Sequence, residues 1–446
     1  AWPKRWPATG PTVAEGSATG RVAYLTGEYP RATDTWMQRE VAALRRAGTE
    51  VDFYAVRRPG DDHMVGPEQR TERERTTYLY PLLRPGPLAR AHLGLAVASP
   101  RRYLRALALQ WRTRRPGLKG SLYQLVYFLE AGLLAHRVRA RGIDHLHNHL
   151  GDSSATVAML AAELGGFGFS LTLHGPGIFF EPHTWRLDEK LARCRFCACI
   201  SYFCRSQAAI FAPADRLDRL NIVHCGVDPS ALRPVTHEGT GGRLLFVARL
   251  AELKGLSVLL EALVDLVERH PSVQLTVVGD GPERARFEAL ANRLGLDGSV
   301  SFVGYRSQAE VAEHLAETDV FVLPSYAEGV PVTLMEALGS GVPVVATQVG
   351  GVSELVEHGA NGFIVRPGDE AELADRLGEL VADPELRQRF GEHGRCLVVN
   401  EFDNDTEAAR LATLFHSVGS DRRPALRPAP APAIETPRDG SATHRC

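Results

Sequence analysis

The segment RLLFVARLAELKGLSVLLEALVDLVERHPSVQLTVVGDGPERARFEALANRLG, residues 243–295, decides the fold class. Short apolar runs such as RLLFV and QLTVV alternate with longer stretches in which apolar side chains recur at helical spacing. The same alternation continues to residue 382, and an earlier series of the same kind starts at residue 21. Strands that alternate with helices indicate parallel sheets with helices on both faces. The sequence therefore predicts an α/β fold.

The two series are separated by the turn-rich stretch GVDP at 226–229 and a polar linker at 233–242. We predict two doubly wound Rossmann-like domains that face each other across a cleft, with ligands beyond the carboxyl ends of the strands. The predicted parts are, in chain order, a disordered tail at 1–20, an N-terminal domain at 21–225, a C-terminal domain at 226–400, a terminal helix at 401–418 that packs back toward the N-terminal domain, and a disordered Pro/Ala tail at 419–446.

The overall composition excludes some classes of protein. The 446 residues carry a formal net charge of -2, and 44% of them are hydrophobic. A near-neutral balance argues against a nucleic-acid binder, whose domain is normally strongly basic. No apolar run reaches the ~18 residues that a membrane span needs, and the N-terminus lacks the apolar core of a signal peptide. We therefore expect a soluble, cytoplasmic protein.

The near-neutral total hides a local asymmetry. Residues 84–141 contain twelve basic residues and one acid, Glu130, which gives +11, whereas residues 226–416 contain 15 basic and 30 acidic residues, which gives -15. A basic, amphipathic helical segment can lie on an anionic membrane. We predict a peripheral contact of 84–141 with the inner face of the plasma membrane, and the alternative is a solvated arginine-rich face.

Charged residues stand where strands of the second series end. Arg249 and Lys254 flank a strand-to-helix loop, and Lys254 is the only lysine after residue 190. Two cations there suit an anionic ligand, although a solvated pair is the alternative. Glu328 stands in a loop ahead of a helix, and Glu336 lies in the second turn of that helix among apolar residues. Glu336 therefore needs a donor such as a ligand hydroxyl, unless it marks a narrow solvated face.

Together these motifs resemble the nucleotide-sugar half of the retaining GT-B-fold glycosyltransferases of family 4. The matching stretches are VARL-x3-KG at 247–255, VVGDGP at 277–282, FVG at 302–304, E-x7-E at 328 and 336, GVPVVAT at 341–347 and GGVSELVEHGANGFIV at 350–365. The first half is similar to exopolysaccharide-type members, including colanic-acid-type transferases, over the stretches 28–48, 146–165, 171–182 and 188–207. The resemblance implies a hexosyltransferase of exopolysaccharide biosynthesis, with residues 21–225 as its acceptor-binding domain and residues 226–400 as its nucleotide-sugar-binding domain.

The resemblance also implies four catalytic residues. Arg249 and Lys254 would hold the donor diphosphate and stabilise charge on the leaving phosphate, which removes the need for a metal ion. Glu328 would bind the donor sugar. His174, in a Gly-Pro-Gly loop after a strand, would lie beside the donor sugar and the acceptor, and the alternative is a loop histidine that is satisfied locally.

Further residues complete the implied site. Glu336 would hydrogen-bond the ribose of a UDP- or GDP-linked donor, and Tyr305 would lie near the base. The other donor-binding residues are Gly329, Val330, Pro331, Gly279, Gly281 and Gly304. The acceptor-side residues are Arg31, Thr33 and Thr35. Many family members have a Gly-Gly pair in that first loop, where this chain has PRAT at 30–33, so a role of the loop in phosphate binding stays open. The donor is a substrate, and no cofactor is predicted.

Three motifs could suggest a metal site, and we predict none. The cysteine run at 194–204 lies in an apolar, strand-like stretch, where cysteine packs as a small hydrophobic residue. The H-x-H-x-H motif at 145–149 lacks a nearby carboxylate–cysteine set in the sequence. The acids of Asp-Asn-Asp at 403–405 are expected to start the last helix.

The expected reaction is sugar transfer to a hydroxyl of a saccharide acceptor, carried on a polyprenyl diphosphate. Two alternatives remain. One is a nucleotide-sugar 2-epimerase of the same fold, which would act without an acceptor. The other is a non-catalytic, nucleotide-sugar-binding partner of a polysaccharide assembly complex.

Overall fold

The computed structural model describes residues 20–235 and 241–417. The strands are β1 (Arg21–Glu28), β2 (Glu50–Arg57), β3 (Thr77–Tyr78), β4 (His145–His149), β5 (Gly168–Leu173), β6 (Cys197–Cys199), β7 (Leu220–Ile222), β8 (Arg243–Val247), β9 (Gln274–Val278), β10 (Val300–Gly304), β11 (Val320–Leu323), β12 (Val344–Thr347) and β13 (Gly362–Val365). The predicted tails at 1–20 and 419–446 lie outside the described residues, apart from Gly20.

The α-helices are α1 (Thr35–Arg46), α2 (Pro67–Arg75), α3 (Pro85–Ala98), α4 (Pro100–Thr113), α5 (Gly117–Ala140), α6 (Ser153–Gly165), α7 (Gly177–Phe180), α8 (Leu187–Arg193), α9 (Tyr202–Phe211), α10 (Leu256–Arg269), α11 (Arg284–Arg293), α12 (Gln308–Ala316), α13 (Val332–Gly339), α14 (Glu370–Ala382), α15 (Pro384–Glu401) and α16 (Asn404–Ser417). Short 3-10 helices span Asp61–His63, Tyr80–Leu82, Ala214–Arg219, Pro229–Ala231, Glu252–Lys254 and Val352–Glu354.

The strands form two parallel sheets, which confirms the predicted α/β class with two doubly wound units. The first sheet has the order β3-β2-β1-β4-β5-β6-β7, and the second has the order β10-β9-β8-β11-β12-β13. In each sheet the strand order reverses beside the first strand, between β1 and β4 or between β8 and β11. Loops diverge at such a reversal and leave a crevice at the carboxyl ends of the strands, where ligands bind.

The loop that carries Glu328 lies between a strand and a helix whose side chains are mostly apolar. All four residues of β11, VFVL, are buried, and their strand neighbours in β8 and β12 are apolar as well. A strand buried on both faces reads as a continuous apolar run. The strand ends at Leu323, and α13 begins at Val332 after Pro331. The loop between them therefore opens toward the crevice.

The last helix crosses back to the first sheet. Ala408 and Leu411 of α16 share a buried core with Val22 of β1 and with Met37 and Val41 of α1. This packing ties α16 to the N-terminal domain, because the apolar side of the helix has its partners there.

The basic stretch 84–141 forms three helices, α3, α4 and α5, that pack on one another and on α6. Its apolar residues are divided between the inside and the outside. Phe128 and Leu134 are buried in the core, whereas Val97 and Leu118 are exposed. Within the described residues, no helix is both long enough and apolar enough to cross a membrane.

The cysteine run packs into the first sheet. Cys194, Cys197, Cys199 and Cys204 are buried free thiols, and the Sγ of Cys204 lies 3.1 Å from the Leu173 carbonyl oxygen. Burial raises the pKa of Cys194 to about 12, so its thiol stays protonated. The run therefore has the core position expected of an apolar strand.

Candidate active site

A cavity of about 480 Å³ lies between the carboxyl ends of the two sheets, and both domains line it. Its walls come from the loops after β1, β5, β8 and β11 and from the start of α13. The predicted residues that line it are Arg31, Thr33, Thr35, His174, Arg249, Lys254, Gly279, Tyr305, Glu328, Gly329, Val330, Pro331 and Glu336. Residues that are up to 305 positions apart in the chain thus meet in one space.

Two predicted donor-binding glycines, Gly281 and Gly304, are not among the cavity-lining residues. A Cβ at Gly281 would lie 2.2 Å from the Leu250 carbonyl oxygen. The amide of Gly279 donates to the carbonyl oxygen of Gly304 at 2.9 Å. These glycines allow loops of the second sheet to pack closely, and only Gly279 of the three also faces the cavity.

Lys254 and Glu328 form an ion pair at the cavity wall. The Lys254 Nζ lies 2.6 Å from Glu328 Oε1, and the hydroxyl of Ser325 donates to the same oxygen at 2.6 Å. The Glu328 side chain is 9% exposed and that of Lys254 is 26% exposed. The buried carboxylate is therefore held by two donors, and the Lys254 ammonium still reaches the cavity.

Arg249 is the second cation of this wall. Its side chain is exposed and lines the cavity, and no ion pair involves it within residues 20–235 and 241–417. The backbone amides of Gly329 and Val330, just ahead of α13, donate to no protein acceptor in the part of the chain that the structure describes. A cation and amides next to a helix N-terminus form a site for anions.

Glu336 pairs with a residue of the other domain. Its carboxylate accepts from the Arg39 guanidinium of α1, and Arg39 Nη2 also donates to Gln308 Oε1 at 3.1 Å. The side chains of Arg39 and Glu336 are 17% and 10% exposed. The apolar helix α13 therefore tolerates this carboxylate because a cation compensates its charge, a partner that the sequence did not reveal.

His174 reaches the cavity as predicted from its position after β5. Its ring centroid lies 3.9 Å from that of Trp36, and its Nε2 lies 3.0 Å from His149 Nδ1. Its Nδ1 lies 3.5 Å from the Sγ of Cys225. Burial, with a smaller effect of His149, holds the pKa of His174 well below its ordinary value, so the ring is neutral near pH 7.

The H-x-H-x-H strand has a carboxylate neighbour that the sequence did not indicate. Glu40, His147 and His149 each offer one ligand atom within 4.8 Å of the others. However, both ring nitrogens of His147 already contact hydroxyls, Nδ1 that of Ser170 at 2.8 Å and Nε2 that of Thr172 at 2.9 Å. These contacts satisfy the buried ring within the sheet, and a metal-free site stays a prediction.

The two domains approach closely beside the cavity. A Cβ at Gly329 would lie 2.2 Å from the His174 carbonyl oxygen, so only glycine fits between the two loops. The Glu354 carboxylate of the second domain accepts from the amides of Tyr202 and Phe203 at the start of α9, each at 2.7 Å. Direct contacts thus fix His174 next to Glu328 and its loop.

Residues 231–396 match the protein family described as "Glycosyl transferases group 1". The chain contains a group 1 glycosyltransferase domain. This domain holds Arg249, Lys254, Glu328 and Glu336 and the second parallel sheet from β8 to β13. Two relatives are similar to this chain over different shares of its length.

The amylovoran biosynthesis glycosyltransferase AmsK of Erwinia amylovora is 28% identical over 374 residues, which cover 79% of this chain and 89% of the relative. The putative colanic acid biosynthesis glycosyltransferase WcaL of Escherichia coli is 37% identical over 210 residues, which cover 45% of this chain and 52% of WcaL. The predicted resemblance to exopolysaccharide and colanic-acid-type glycosyltransferases is confirmed.

Two solved structures share the fold of both domains. The sucrose-phosphate synthase of Thermosynechococcus elongatus has a TM-score of 0.70 at 19% identity, covering 90% of this chain and 100% of the synthase. HepE of Anabaena, solved with UDP and glucose, has a TM-score of 0.67 at 17% identity, covering 89% of this chain and 100% of HepE. The glycosyltransferase domain and its N-terminal partner therefore have the predicted GT-B fold.

Apart from Thr35, sequence reasoning missed the residues that α1 contributes to the site. Trp36, Arg39 and Glu40 contact His174, Glu336 and His149, respectively. The sequence offered one signal, because positions 36, 39 and 40 lie on one side of a helix. Their partners, more than 100 positions away, could not be read from it.

Proposed function

We propose that the protein is a retaining glycosyltransferase of family 4 that moves a sugar from a nucleoside diphosphate sugar to a hydroxyl of a saccharide acceptor. The observation that carries this proposal is the convergence of Arg249, Lys254, Glu328 and Glu336 on one cavity between two domains. Cations for a diphosphate and carboxylates for sugar and ribose hydroxyls are the groups that such a donor requires.

The charges at the cavity wall support a metal-independent bond cleavage. When the bond between the sugar and the diphosphate oxygen breaks, its electron pair stays on the leaving phosphate. Arg249 and the ammonium of Lys254 lie where they can neutralise that charge, and fixed charges of this kind need no reorganisation during the reaction. The acceptor hydroxyl then bonds to the anomeric carbon, and its proton goes to an oxygen of the leaving phosphate on the same face, which retains the configuration.

The state of Glu328 supports this course over a covalent sugar–enzyme intermediate. Oε1 of Glu328 already accepts from Lys254 and Ser325. A nucleophilic carboxylate would have to give up these hydrogen bonds. Glu328 is better suited to accept a hydroxyl of the donor sugar and to orient Lys254.

The acceptor class rests on the relatives and on the surface of α3, α4 and α5. The names of AmsK and WcaL refer to the biosynthesis of amylovoran and colanic acid, and we propose a lipid-linked saccharide of an exopolysaccharide as the acceptor. The three helices expose large apolar side chains, namely Leu93, Val97, Leu104, Trp111, Leu118 and Leu122.

The stretch 84–141 also exposes cations. Arg84, Arg90, Arg101 and Lys119 are exposed and form no ion pair with another described residue, whereas Arg105 pairs with Glu163. Apolar groups flanked by free cations suit the headgroup region of an anionic bilayer. We propose that this surface places the enzyme on the inner face of the plasma membrane, next to a lipid-linked acceptor.

Turnover with purified full-length protein tests the function. UDP- and GDP-sugars are screened for nucleotide release with and without a polyprenyl-diphosphate-linked saccharide, and the product anomer is identified by NMR. We expect release that depends on the acceptor, and a product with the donor's anomeric configuration. Conversion of the donor into an epimeric nucleotide sugar without acceptor would favour the epimerase. Nucleotide binding with neither release nor conversion of the donor would favour the non-catalytic partner, and an inverted product would refute retention.

Co-sedimentation with vesicles tests the membrane contact separately. We expect binding to vesicles with anionic lipid at low salt and little binding to zwitterionic vesicles. The variant Arg84→Gln/Arg90→Gln/Arg101→Gln/Lys119→Gln should lose most of it. The matched control is Arg269→Gln/Arg286→Gln/Arg366→Gln/Arg376→Gln in the second domain, which removes the same charge. Equal loss in both variants would show a non-specific charge effect and overturn the assignment of this surface.

A further inference from the structure

Three side chains form a hydrogen-bonded series that starts inside the N-terminal domain and ends at the cavity. Glu40 Oε1 lies 3.0 Å from His149 Nε2, and His149 Nδ1 lies 3.0 Å from His174 Nε2. Of the three, only His174 lines the cavity. His149 is fully buried at the end of β4, and Glu40 is 17% exposed. The series thus joins a buried carboxylate to a predicted catalytic ring.

The carboxylate fixes the direction of the first hydrogen bond in the series. An ionised carboxylate only accepts, and Glu40 Oε1 also receives the hydroxyl proton of Tyr24 at 2.8 Å. His149 must therefore carry a proton on Nε2, and a His149 ring that carries this one proton has a bare Nδ1. The atom that faces this lone pair, Nε2 of His174, must carry a proton in turn.

This order leaves His174 with a bare Nδ1. Since burial keeps the ring neutral, Nδ1 has no proton and can only accept. Its neighbour is the thiol of Cys225 at 3.5 Å, a weak donor on a residue that also lines the cavity. A hydroxyl group of a bound sugar is a stronger donor than a thiol and would displace it.

We propose that Glu40 and His149 are positioning residues that set the tautomer of His174, so that its Nδ1 accepts a hydrogen bond from a sugar hydroxyl in the cavity. The inference rests on the proposed function for the identity of the ligand, a saccharide. The tautomer itself follows from the three side chains when His149 carries one proton, on Nε2. Trp36 holds the plane of the ring, because its centroid lies 3.9 Å from that of His174.

The test combines a spectroscopic measurement with turnover. The full chain is labelled with ¹⁵N-histidine, and the ring signals of His149 and His174 are assigned with single substitutions of each. Glu40→Leu would leave the buried Tyr24 hydroxyl without an acceptor, so the informative variant is Tyr24→Phe/Glu40→Leu. Tyr24→Phe alone is the matched control, because it removes the other donor to Glu40 and leaves the His149 contact in place.

We expect wild type and Tyr24→Phe to show His174 protonated on Nε2, and the double variant to show a mixture with the Nδ1-protonated form. The kcat/KM of sugar transfer should fall roughly 5- to 10-fold in the double variant, which corresponds to the loss of one neutral hydrogen bond. It should stay unchanged in Tyr24→Phe. An Nδ1-protonated His174 in the wild type, or a folded double variant with unchanged tautomer, would overturn the inference. A wild type that transfers no sugar would refute the proposed function instead, since the ¹⁵N signals are read without a substrate.

Discussion

The guanidinium of Arg39 on α1 forms an ion pair with the carboxylate of Glu336 on α13, across the cleft between the two domains. Gln308 of α12 accepts from the same guanidinium at 3.1 Å. Glu336 is also the residue that we propose for the ribose of the donor. A contact that joins the domains therefore occupies the same carboxylate that the substrate needs, and closure of the cleft and donor binding should be linked.

Arg39→Ala should tighten nucleotide binding. Without Arg39, no cation compensates the charge of the mostly buried Glu336 carboxylate. Hydrogen bonds from the ribose hydroxyls of a bound nucleotide then offset a larger desolvation cost of this carboxylate. We expect the Kd of UDP or GDP, whichever binds the wild type, to fall roughly 3- to 10-fold, as for loss of a competing contact worth about 1 kcal/mol. Isothermal titration calorimetry measures this.

The control for this variant is Arg46→Ala on the same helix, whose partner Asp405 is exposed and lies outside the cavity. Its Kd should equal that of the wild type. Weaker nucleotide binding by Arg39→Ala would mean that Arg39 holds the donor rather than competing with it.

Lys254→Met should remove most of the catalytic rate. The variant keeps the length of the side chain but loses the ammonium that we propose to face the leaving phosphate, and it leaves Glu328 with Ser325 as its remaining donor. We expect kcat to fall about 100-fold, measured as nucleotide release with saturating donor. Arg286→Met, which breaks an exposed pair with Glu252 in the same domain, should leave kcat unchanged, and equal effects of the two would disprove the assignment.

Lys190→Met should destabilise the fold. The Nζ of Lys190 is fully buried and donates to the carbonyl oxygens of Gly151 and Asp152, each at 2.7 Å. Burial lowers the pKa of Lys190 to about 7, but the two carbonyls need a donor at any pH. We expect the free energy of unfolding in urea to fall by about 2 kcal/mol at pH 7. The exposed Lys119→Met is the control and should change it by less than about 0.5 kcal/mol.

His147→Gln should make stability less sensitive to acid. Burial holds the pKa of His147 well below its ordinary value, so the unfolded chain takes up a proton near pH 6.5 that the folded chain refuses. The stability that His147 contributes to the wild type is therefore fully present above about pH 6.5. It is lost as the pH falls below that value, by about 1.4 kcal/mol per pH unit. Gln can still bond the hydroxyls of Ser170 and Thr172 but does not titrate.

Urea unfolding between pH 7 and pH 5 checks the prediction as a difference between the two proteins. Burial lowers the pKa of His145 to about 3. His145 and the other titrating groups occur in both proteins, so their contributions to the pH dependence of stability largely cancel in the difference. As the pH falls below 6.5, the free energy of unfolding should fall more steeply for the wild type than for His147→Gln. Two parallel curves would show that His147 is protonated in the folded state or does not contribute.

The loops of the second domain could be predicted closely from sequence. The run VFVL ends at Leu323, where the strand ends, and Pro331 stands immediately before the helix. Glu328 and Glu336 therefore had to face the crevice at the carboxyl end of the sheet. These elements could be predicted because the spacing of apolar side chains, the length of the strand and the proline before the helix specify a β-loop-α unit without reference to the rest of the chain.

The rarity of lysine was a useful signal that sequence reasoning applied too narrowly. It pointed to Lys254, which does line the cavity. The same argument applied to Lys190, which is buried in the first domain and holds the loop after β4. Sequence could not tell the two apart, because burial depends on which helix covers which loop.

Short-range patterns along the chain were enough to predict the α/β class, the two-domain organisation and the position of Arg249 and Lys254 in a loop at the carboxyl end of a strand. The partners of Glu336 and His174 depend on the tertiary structure. Arg39 reaches Glu336 over 297 positions, and Glu40 reaches His149 over 109. Such contacts depend on how one domain closes on the other and how α1 packs on the first sheet. They set the charge and the proton positions of the site.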